Sequence, residues 1–402
     1  MSGPPSNQSV LVWMCVLIGV NQLGFGGIVP ALALYARSFG VSQSAIGLAV
    51  AIYGLARFVA AVPVGRLADR FGRRTTLALG GAVSAAGNLM CAWAPNYPTF
   101  VLARFVAGTG AALVLTCGLI VIADITDPAR RGRTMGIYQG TFLFAVGVGP
   151  LPGGLLAERF GLAAPFLVYA VAGAVVAVVA WFEIPDTRGF RGEATGAAAA
   201  PPIAFGAQVQ MLVHQVGFVL VSLIGFTNAF ARTGGLFTVI PILGRDRLGL
   251  GADRIGFGLA LASVVGLALA YPAGVLVDRY GRKPVIVPST VVCGVALVLF
   301  VWAPSYAWFL VACVAWSVAA GVSGAAPAAY AADVAPPGMN AAAISTYRML
   351  SDLGYVVGPI ALGVATDGFG ANAALGFAAA LLVVVGVMFA RWAPETHRAG
   401  GW

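Results

Sequence analysis

The stretch Gly65–Arg74, GRLADRFGRR, returns 209 positions later as Gly274–Lys283, GVLVDRYGRK. Other landmarks keep the same spacing. Trp93-Ala94-Pro95 returns as Trp302-Ala303-Pro304, Asp124 as Asp333, Gly149-Pro150 as Gly358-Pro359, and Phe160-Gly161 as Phe369-Gly370. One constant shift across so many points means that the chain is a duplicated unit whose two copies run in the same direction. Periods of about 20–50 residues belong to solenoids. This period is far longer, so the repeated unit is a domain.

Composition decides the medium. Hydrophobic residues make up 60% of the 402 and charged residues 9%, against about 25% charged in a soluble domain. No water-soluble surface can be built from this inventory. The long continuous apolar runs point to helices, which satisfy their own backbone in lipid, and the alternating pattern of an outer-membrane barrel is missing. The 54 glycines suit close helix–helix packing.

Runs of spanning length, divided by loop signals, fall at 10–36, 44–68, 75–94, 98–124, 133–157 and 163–183, then at 209–243, 253–277, 284–303, 306–332, 339–366 and 371–391. The expected organisation is a six-helix bundle over 1–183, a linker over 184–208 containing PDTRGFRGEATGAAAAPP, and a second six-helix bundle over 209–402. The predicted fold class is an all-α integral membrane protein with twelve transmembrane helices in two pseudo-symmetric bundles. The start, MSGPPSNQSV, has no basic region of the secretory kind, so the first apolar run is expected to stay as a membrane helix.

With the amino terminus placed in the cytoplasm, the inside segments carry 14 of the 23 basic residues and the outside segments 5. The bias predicts both termini inside. It also explains the formal charge of +9 without nucleic acid. The other four, Arg57, Arg104, Arg232 and Arg348, fall inside predicted helices. The five cysteines sit in apolar stretches, with neither metal-ligand nor disulfide spacing.

GRLADRFGRR, in the short loop after the second span, resembles the signature loop of the major facilitator superfamily, and its second copy strengthens the likeness. The resemblance covers nearly the whole chain and implies a transporter with two six-helix halves. Gly65 is expected to let two helices approach closely. The resemblance implies that Asp69 meets a helix amino terminus in the opposite half and that Arg73 pairs with Asp124. Asp278, Arg282 and Asp333 repeat these gating positions in the second half.

Two further motifs carry the likeness. In the fourth span, Arg104, Gly108, Gly110, Ala111 and Ala112 resemble the family's arginine motif, tied to proton transfer, with Ala107 where glutamine is usual. A snorkelling arginine near the outer interface is the alternative. In the fifth span, Gly136, Gly149-Pro150 and Gly153-Gly154 resemble the antiporter motif of the drug:proton antiporter families, with Ala145 in place of one glycine. Small residues and proline there let a helix kink and a neighbour slide.

An ionisable side chain deep in a bilayer is a functional candidate by default. Of the 14 acids, only Asp352 lies deep in a predicted helix, with Arg348 one turn before it and Tyr355 continuing the stripe. The expectation is that Asp352 couples transport to protons, with Arg348, Arg57 and Arg104 as its charged partners. In the family fold the second and eleventh helices line the interface between halves, which would let Arg57 meet Asp352. A static ion pair with Arg348 is the competing reading.

The family fold also implies a central cavity lined by helices one, four, seven and ten. Asn21, Gln22, Asn228 and Arg232 are its polar candidates. Tyr138, Gln139 and Phe142 of the fifth span, Trp316 and Tyr330 of the tenth, and Tyr355 are further candidates. Many drug exporters of the family carry an acid in the first helix. This chain has none, and four arginines beside one aspartate lean toward neutral or anionic substrates, or toward arginines largely committed to gating.

Enzymatic readings find little footing. His214 and His397 are the only histidines, no His/Glu metal pair or Ser-His-Asp set is in view, and no GxxxxGK[ST] loop offers an ATP site. The expected protein is a monomer in a bacterial cytoplasmic membrane, exporting a small amphipathic molecule in exchange for protons, without cofactor or metal. Its partners are the small-molecule substrate, protons and the lipid bilayer. An importer or exchanger of an organic anion, held by Arg232 and Arg57, is the alternative.

Overall fold

In an apolar medium a chain has to close its own hydrogen bonds, and this one does so as helices. The computed structural model describes residues 7–126, 131–187, 205–324, 326–336 and 339–396. Twelve helices of 18 to 33 residues among them are long and apolar enough to cross a membrane. The first repeat contains α1 (Asn7–Arg37), α2 (Gln43–Phe71), α3 (Arg73–Ala92), α4 (Tyr97–Asp124), α5 (Thr134–Phe160) and α6 (Ala164–Glu183). The second contains α7 (Val216–Leu248), α8 (Ala252–Tyr280), α9 (Lys283–Val301), α10 (Tyr306–Asp333), α11 (Asn340–Phe369) and α12 (Ala371–Trp392).

The 209-residue shift also governs the backbone. Gly40, Gly72 and Gly161 have φ of +72°, +94° and +92°, and their counterparts Gly249, Gly281 and Gly370 have +62°, +95° and +84°. Gly72 joins α2 to α3 within one residue, at ψ 158°. Only glycine enters that region cheaply, because any Cβ there clashes with the backbone. Helix starts repeat too. Asn96 accepts the Thr99 N–H at 3.0 Å at the start of α4, and Ser305 accepts the Trp308 N–H at 3.5 Å at the start of α10.

The chain folds into two compact units. One comprises Met1–Val41, Leu48–Gly196 and Gly251–Ala260; the other comprises Ser42–Gly47, Ala197–Leu250 and Leu261–Trp402. In the first, α3 packs on α4 and α6 while α1 packs on α5 and α6. In the second, α9 packs on α10 and α12 while α7 packs on α11 and α12. Met14, Leu17, Val121 and Val176 belong to one apolar core, and Phe218, Ile224, Ile286 and Phe389 to another.

Three spans depart from the uniform helices expected. The run 209–243 divides into a short helix, Phe205–Val213, and α7. Within α7, residues Ala231–Val239 adopt the wider π-helical turn, seen in the Ile240 N–H bonding the Gly235 carbonyl five residues back. α5 lacks one backbone bond at Gly149-Pro150, where Pro150 has no N–H to donate, although Gly149 keeps helical backbone and its N–H still bonds the Ala145 carbonyl. α10 breaks between Ser323 and Ala326, with Gly324 at φ +42°. Hydrophobic periodicity reports apolar length and is blind to such local changes in hydrogen bonding.

Gly65 corrects an expectation. A Cβ built on it, or on Gly274, meets no described atom within 4 Å, so neither is a close-packing glycine here. Gly72→Ala is therefore expected to lower the thermal midpoint of the purified protein, at a cost of about 1–3 kcal/mol, while Gly65→Ala leaves it within a degree or two. Scanning fluorimetry on the two variants in detergent checks this.

Candidate functional site

The loop after α2 builds a buried ion cluster in the first unit. Arg73 opens α3, with its side chain folded back under the chain. Its Nε donates to Asp124 Oδ2 at 3.0 Å, and its Nη1 donates to Asp69 Oδ1 at 2.7 Å and to the Ala68 carbonyl at 3.0 Å. Side-chain exposure is 7% for Arg73 and 2% for Asp124, against 73% for Asp69. Two residues that the sequence reading missed complete the cluster. The Arg73 backbone N–H donates to Asp186 Oδ1 at 3.3 Å, and Thr187 Oγ1 donates to Asp124 Oδ2 at 3.0 Å.

The second unit repeats this arrangement in a looser form. Arg282 Nε lies 2.9 Å from Asp333 Oδ2, with side-chain exposures of 20% and 34%. Glu395 accepts the backbone N–H groups of Arg282 and Lys283 at 3.3 and 3.1 Å, and Thr396 Oγ1 donates to Asp333 Oδ2 at 3.2 Å. Asp186-Thr187 and Glu395-Thr396 are themselves 209 residues apart. Extending the repeat comparison through Pro185 and Pro394 would have found them. Asp278 lies in the last turns of α8, and its side chain falls outside the described residues.

The small residues of α5 divide by surroundings. A Cβ on Gly136 meets no described atom within 4 Å. One on Gly149 would press on Leu23 and Gly26 of α1, and one on Gly153 would collide with Gly27. Gly154 and Pro150 instead lie against the first turns of α8, beside Ala252 and Gly256 respectively.

Arg104 does not snorkel. It is 1% exposed, its Nε donates to the Ala49 carbonyl at 3.3 Å, and its guanidinium carbon lies 4.4 Å from the centre of the Tyr53 ring. Its Nη1 is buried with no hydrogen-bond partner. Close by in the sequence-distant core, Asn21 Nδ2 donates to Gln22 Oε1 at 3.0 Å, and Tyr169 Oη donates to Asn21 Oδ1 at 3.4 Å. Phe25 stacks on Tyr53 at 5.3 Å between ring centres. Tyr53 and Tyr169, which the sequence did not single out, thus bring hydroxyls into a buried polar part of this unit.

In the second unit Asp352, Arg348 and Arg232 are exposed and Tyr355 is half-buried. Arg348 and Asp352 share one face of α11. Arg232 sits in the π-helical stretch with its guanidinium carbon 5.6 Å from the Phe237 ring centre. Thr233 Oγ1 of the same stretch donates to the Tyr355 carbonyl at 3.1 Å, tying α7 to α11. Asn228 Nδ2 bonds its own helix at the Ile224 carbonyl, 3.0 Å away. Arg57 is half-buried on α2, in the other unit from Asp352.

Three aromatic candidates are buried. Tyr330 Oη donates to the Pro394 carbonyl at 2.7 Å, which makes it an anchor for the end of α12. Tyr138 is 2% exposed in the first unit's apolar core, its hydroxyl without a hydrogen-bond partner, and a Cβ on Gly118 would strike that hydroxyl. Trp316 is 3% exposed. Gln139 and Phe142 are half-buried, and Phe142 packs against the same core as Tyr138. No group of three or more His, Cys, Asp or Glu among the described residues is placed to hold a metal ion.

The family model of the Major Facilitator Superfamily matches residues 14–269 and again 221–401. The chain belongs to the major facilitator superfamily. Among curated relatives, an uncharacterised transporter of this superfamily from Methanocaldococcus jannaschii is 23% identical, over 94% of this chain and 96% of its own. A class C tetracycline resistance protein from Escherichia coli is 29% identical over 74% of each chain. Among solved structures, a bacterial homologue of the human lysosomal transporter Spinster, inward-facing and occupied, aligns with a TM-score of 0.81 at 16% identity. That alignment covers 96% of this chain and 97% of the other.

This superfamily member is therefore a multi-pass membrane transporter and not an enzyme. Its two loop clusters differ in burial, and stability should follow. Removing one partner of a buried ion pair costs about 3–5 kcal/mol, whereas an exposed pair is worth up to about 1 kcal/mol. Asp124→Ala is expected to lower the thermal midpoint steeply and Asp333→Ala only slightly. Equal losses in the two variants, measured in the same detergent, would contradict the assignment of burial.

Proposed function

We propose that this transporter is a proton-coupled exporter of a small amphipathic compound, working by alternating access in a bacterial cytoplasmic membrane with both termini inside. The observation that carries the reading is Asp352. A carboxylate well inside a membrane helix costs about 3 kcal/mol on insertion scales, so a position that keeps one needs a use for it. Arg348, four residues earlier on the same face, supplies the positive partner. Because those two residues share one helix, the change in proton affinity comes in this reading from a change in what else surrounds Asp352 as the halves move.

Arg57 and Arg104 act in this reading as the first repeat's charges in the same relay. In this reading Asn21 and Gln22 are the first unit's polar candidates for substrate contact, and Asn228, Arg232 and Tyr355 are the second unit's. In this reading the cluster of Asp69, Arg73 and Asp124, the pair Arg282 and Asp333, and Asp278 of the second signature loop act as gates at the loop ends of their repeats. The α5 helix, with Gly149, Pro150, Gly153 and Gly154, and the similarity to a tetracycline resistance protein support export by exchange.

A second reading, import or exchange of an organic anion, is favoured by charge. Arg104 is buried with an unpartnered Nη1, Arg232 is exposed in a π-helical stretch, and α1 carries no acid. Proteoliposomes separate the two. In the proton-coupled reading, tetracycline uptake into inside-out vesicles follows an imposed pH gradient, and a pH-sensitive dye reports the returning protons. Asp352→Asn abolishes both signals while counterflow of labelled tetracycline persists. Gradient-driven uptake that survives intact in Asp352→Asn removes this residue from coupling. Exchange of organic anions that ignores the pH gradient selects the second reading.

A further inference from the structure

The amino termini of α2 and α8 are held by carboxylates from the opposite sequence repeat. Asp367, at the end of α11, accepts the Gln43 N–H at 2.8 Å through Oδ1 and the Ser44 N–H at 2.9 Å through Oδ2. Ser42 Oγ accepts the next amide, Ala45, at 3.3 Å. Three amides of the first turn of α2 are thereby capped, two of them by one distant side chain. In the other unit Glu158, at the end of α5, accepts the Ala252 N–H at 3.1 Å through Oε2.

These contacts are the same contact made twice. Glu158 and Asp367 are 209 residues apart, and so are Gln43 and Ala252. The backbone approach beneath them repeats as well. A Cβ on Gly154 would collide with the Ala252 carbonyl, and one on Gly363 would crowd the Gln43 carbonyl. Gly47 lies against Pro359 just as its counterpart Gly256 lies against Pro150. Duplication preserves a sequence landmark readily. Both copies present a carboxylate to the equivalent amide, Asp367 bonding two amides and Glu158 one.

The ends involved are those farthest from the signature loops, since α2 runs from Gln43 to its loop end at Phe71 and α8 from Ala252 to Tyr280. A carboxylate facing exposed N–H groups at a helix start is favoured by hydrogen bonding and by the helix dipole together. Both side chains are exposed, so water competes and the caps can release.

We propose that Glu158 and Asp367 are paired positioning residues of the transport cycle, each clasping the first turn of a helix from the other repeat until that end of the protein opens. The proposal rests on alternating access as put forward above, and it is independent of the substrate and of proton coupling. It assigns the two acids a conformational task and no contact with substrate.

The test reads conformation directly. Cys15, Cys91, Cys117, Cys293 and Cys313 are replaced by alanine, nitroxide labels are attached at Phe160→Cys and Phe369→Cys, and the full chain is placed in lipid nanodiscs. Electron–electron double resonance then gives the distance distribution without substrate or pH gradient. Glu158→Gln or Asp367→Asn is expected to move the population toward longer distances by roughly threefold to fivefold, and the double variant further. Glu158→Asp and Asp367→Glu, which keep the charge, stay near the parent. In parallel, hydrogen exchange rises in residues 42–50 for Asp367→Asn and in residues 251–260 for Glu158→Gln.

An unchanged distance distribution in the double variant overturns the proposal, even if local exchange rises, because the caps would then be local decoration. A shift in the charge-keeping variants equal to that in the neutral ones overturns it too. Failure of gradient-driven export in proteoliposomes would sink the functional reading above and leave this measurement untouched.

Discussion

Hydrocarbon offers no partner to a backbone N–H or C=O, and every feature of this protein answers that constraint. Within each span the helix closes its own bonds. The difficulty is concentrated at helix ends and at breaks, where donors are left over. There the structure spends its few polar side chains. Asn96 and Ser305 cap α4 and α10, Asp186 and Glu395 receive the first amides at the α3 and α9 starts, and Asp367 and Glu158 receive those of α2 and α8. The sparse charge of the sequence is thus mostly placed where helices begin and end.

Duplication turns each solution into a pair. The left-handed glycines, the caps, the loop ion pairs and the close backbone approaches recur at one spacing. The copies are equivalent in position and unequal in strength. Arg73 and Asp124 are sealed from solvent while Arg282 and Asp333 are partly open, so the same contact contributes differently in the two units.

The less regular parts lie in the second repeat. α7 widens into a π-helix around Arg232, and α10 breaks at Gly324. A π turn leaves a carbonyl without its usual donor, and here the Thr238 hydroxyl bonds the Thr233 carbonyl, while the Thr233 hydroxyl bonds the Tyr355 carbonyl on α11, whose own donor is lost at Pro359. Irregular helices of this kind gather at functional positions. It is notable that this one adjoins the helix carrying Asp352 and Arg348.

The sequence alone determined the medium, the helical class, the twelve spans and the duplication, because apolar length and a constant shift are written directly in residue order. The resemblance carried by the signature loop marked Arg73 with Asp124, and residue order placed Asp352 mid-way along a span. The tertiary structure decided what each polar side chain faces. Tyr330 proved to anchor the end of α12, Tyr138 to fill a core, Arg104 to lie wholly inside, and Gly65 to touch nothing, while Glu158 and Asp367, unremarked in the sequence, hold two helix starts. Linear order specifies which face of a helix a residue occupies; only the packing of distant segments specifies what stands opposite that face.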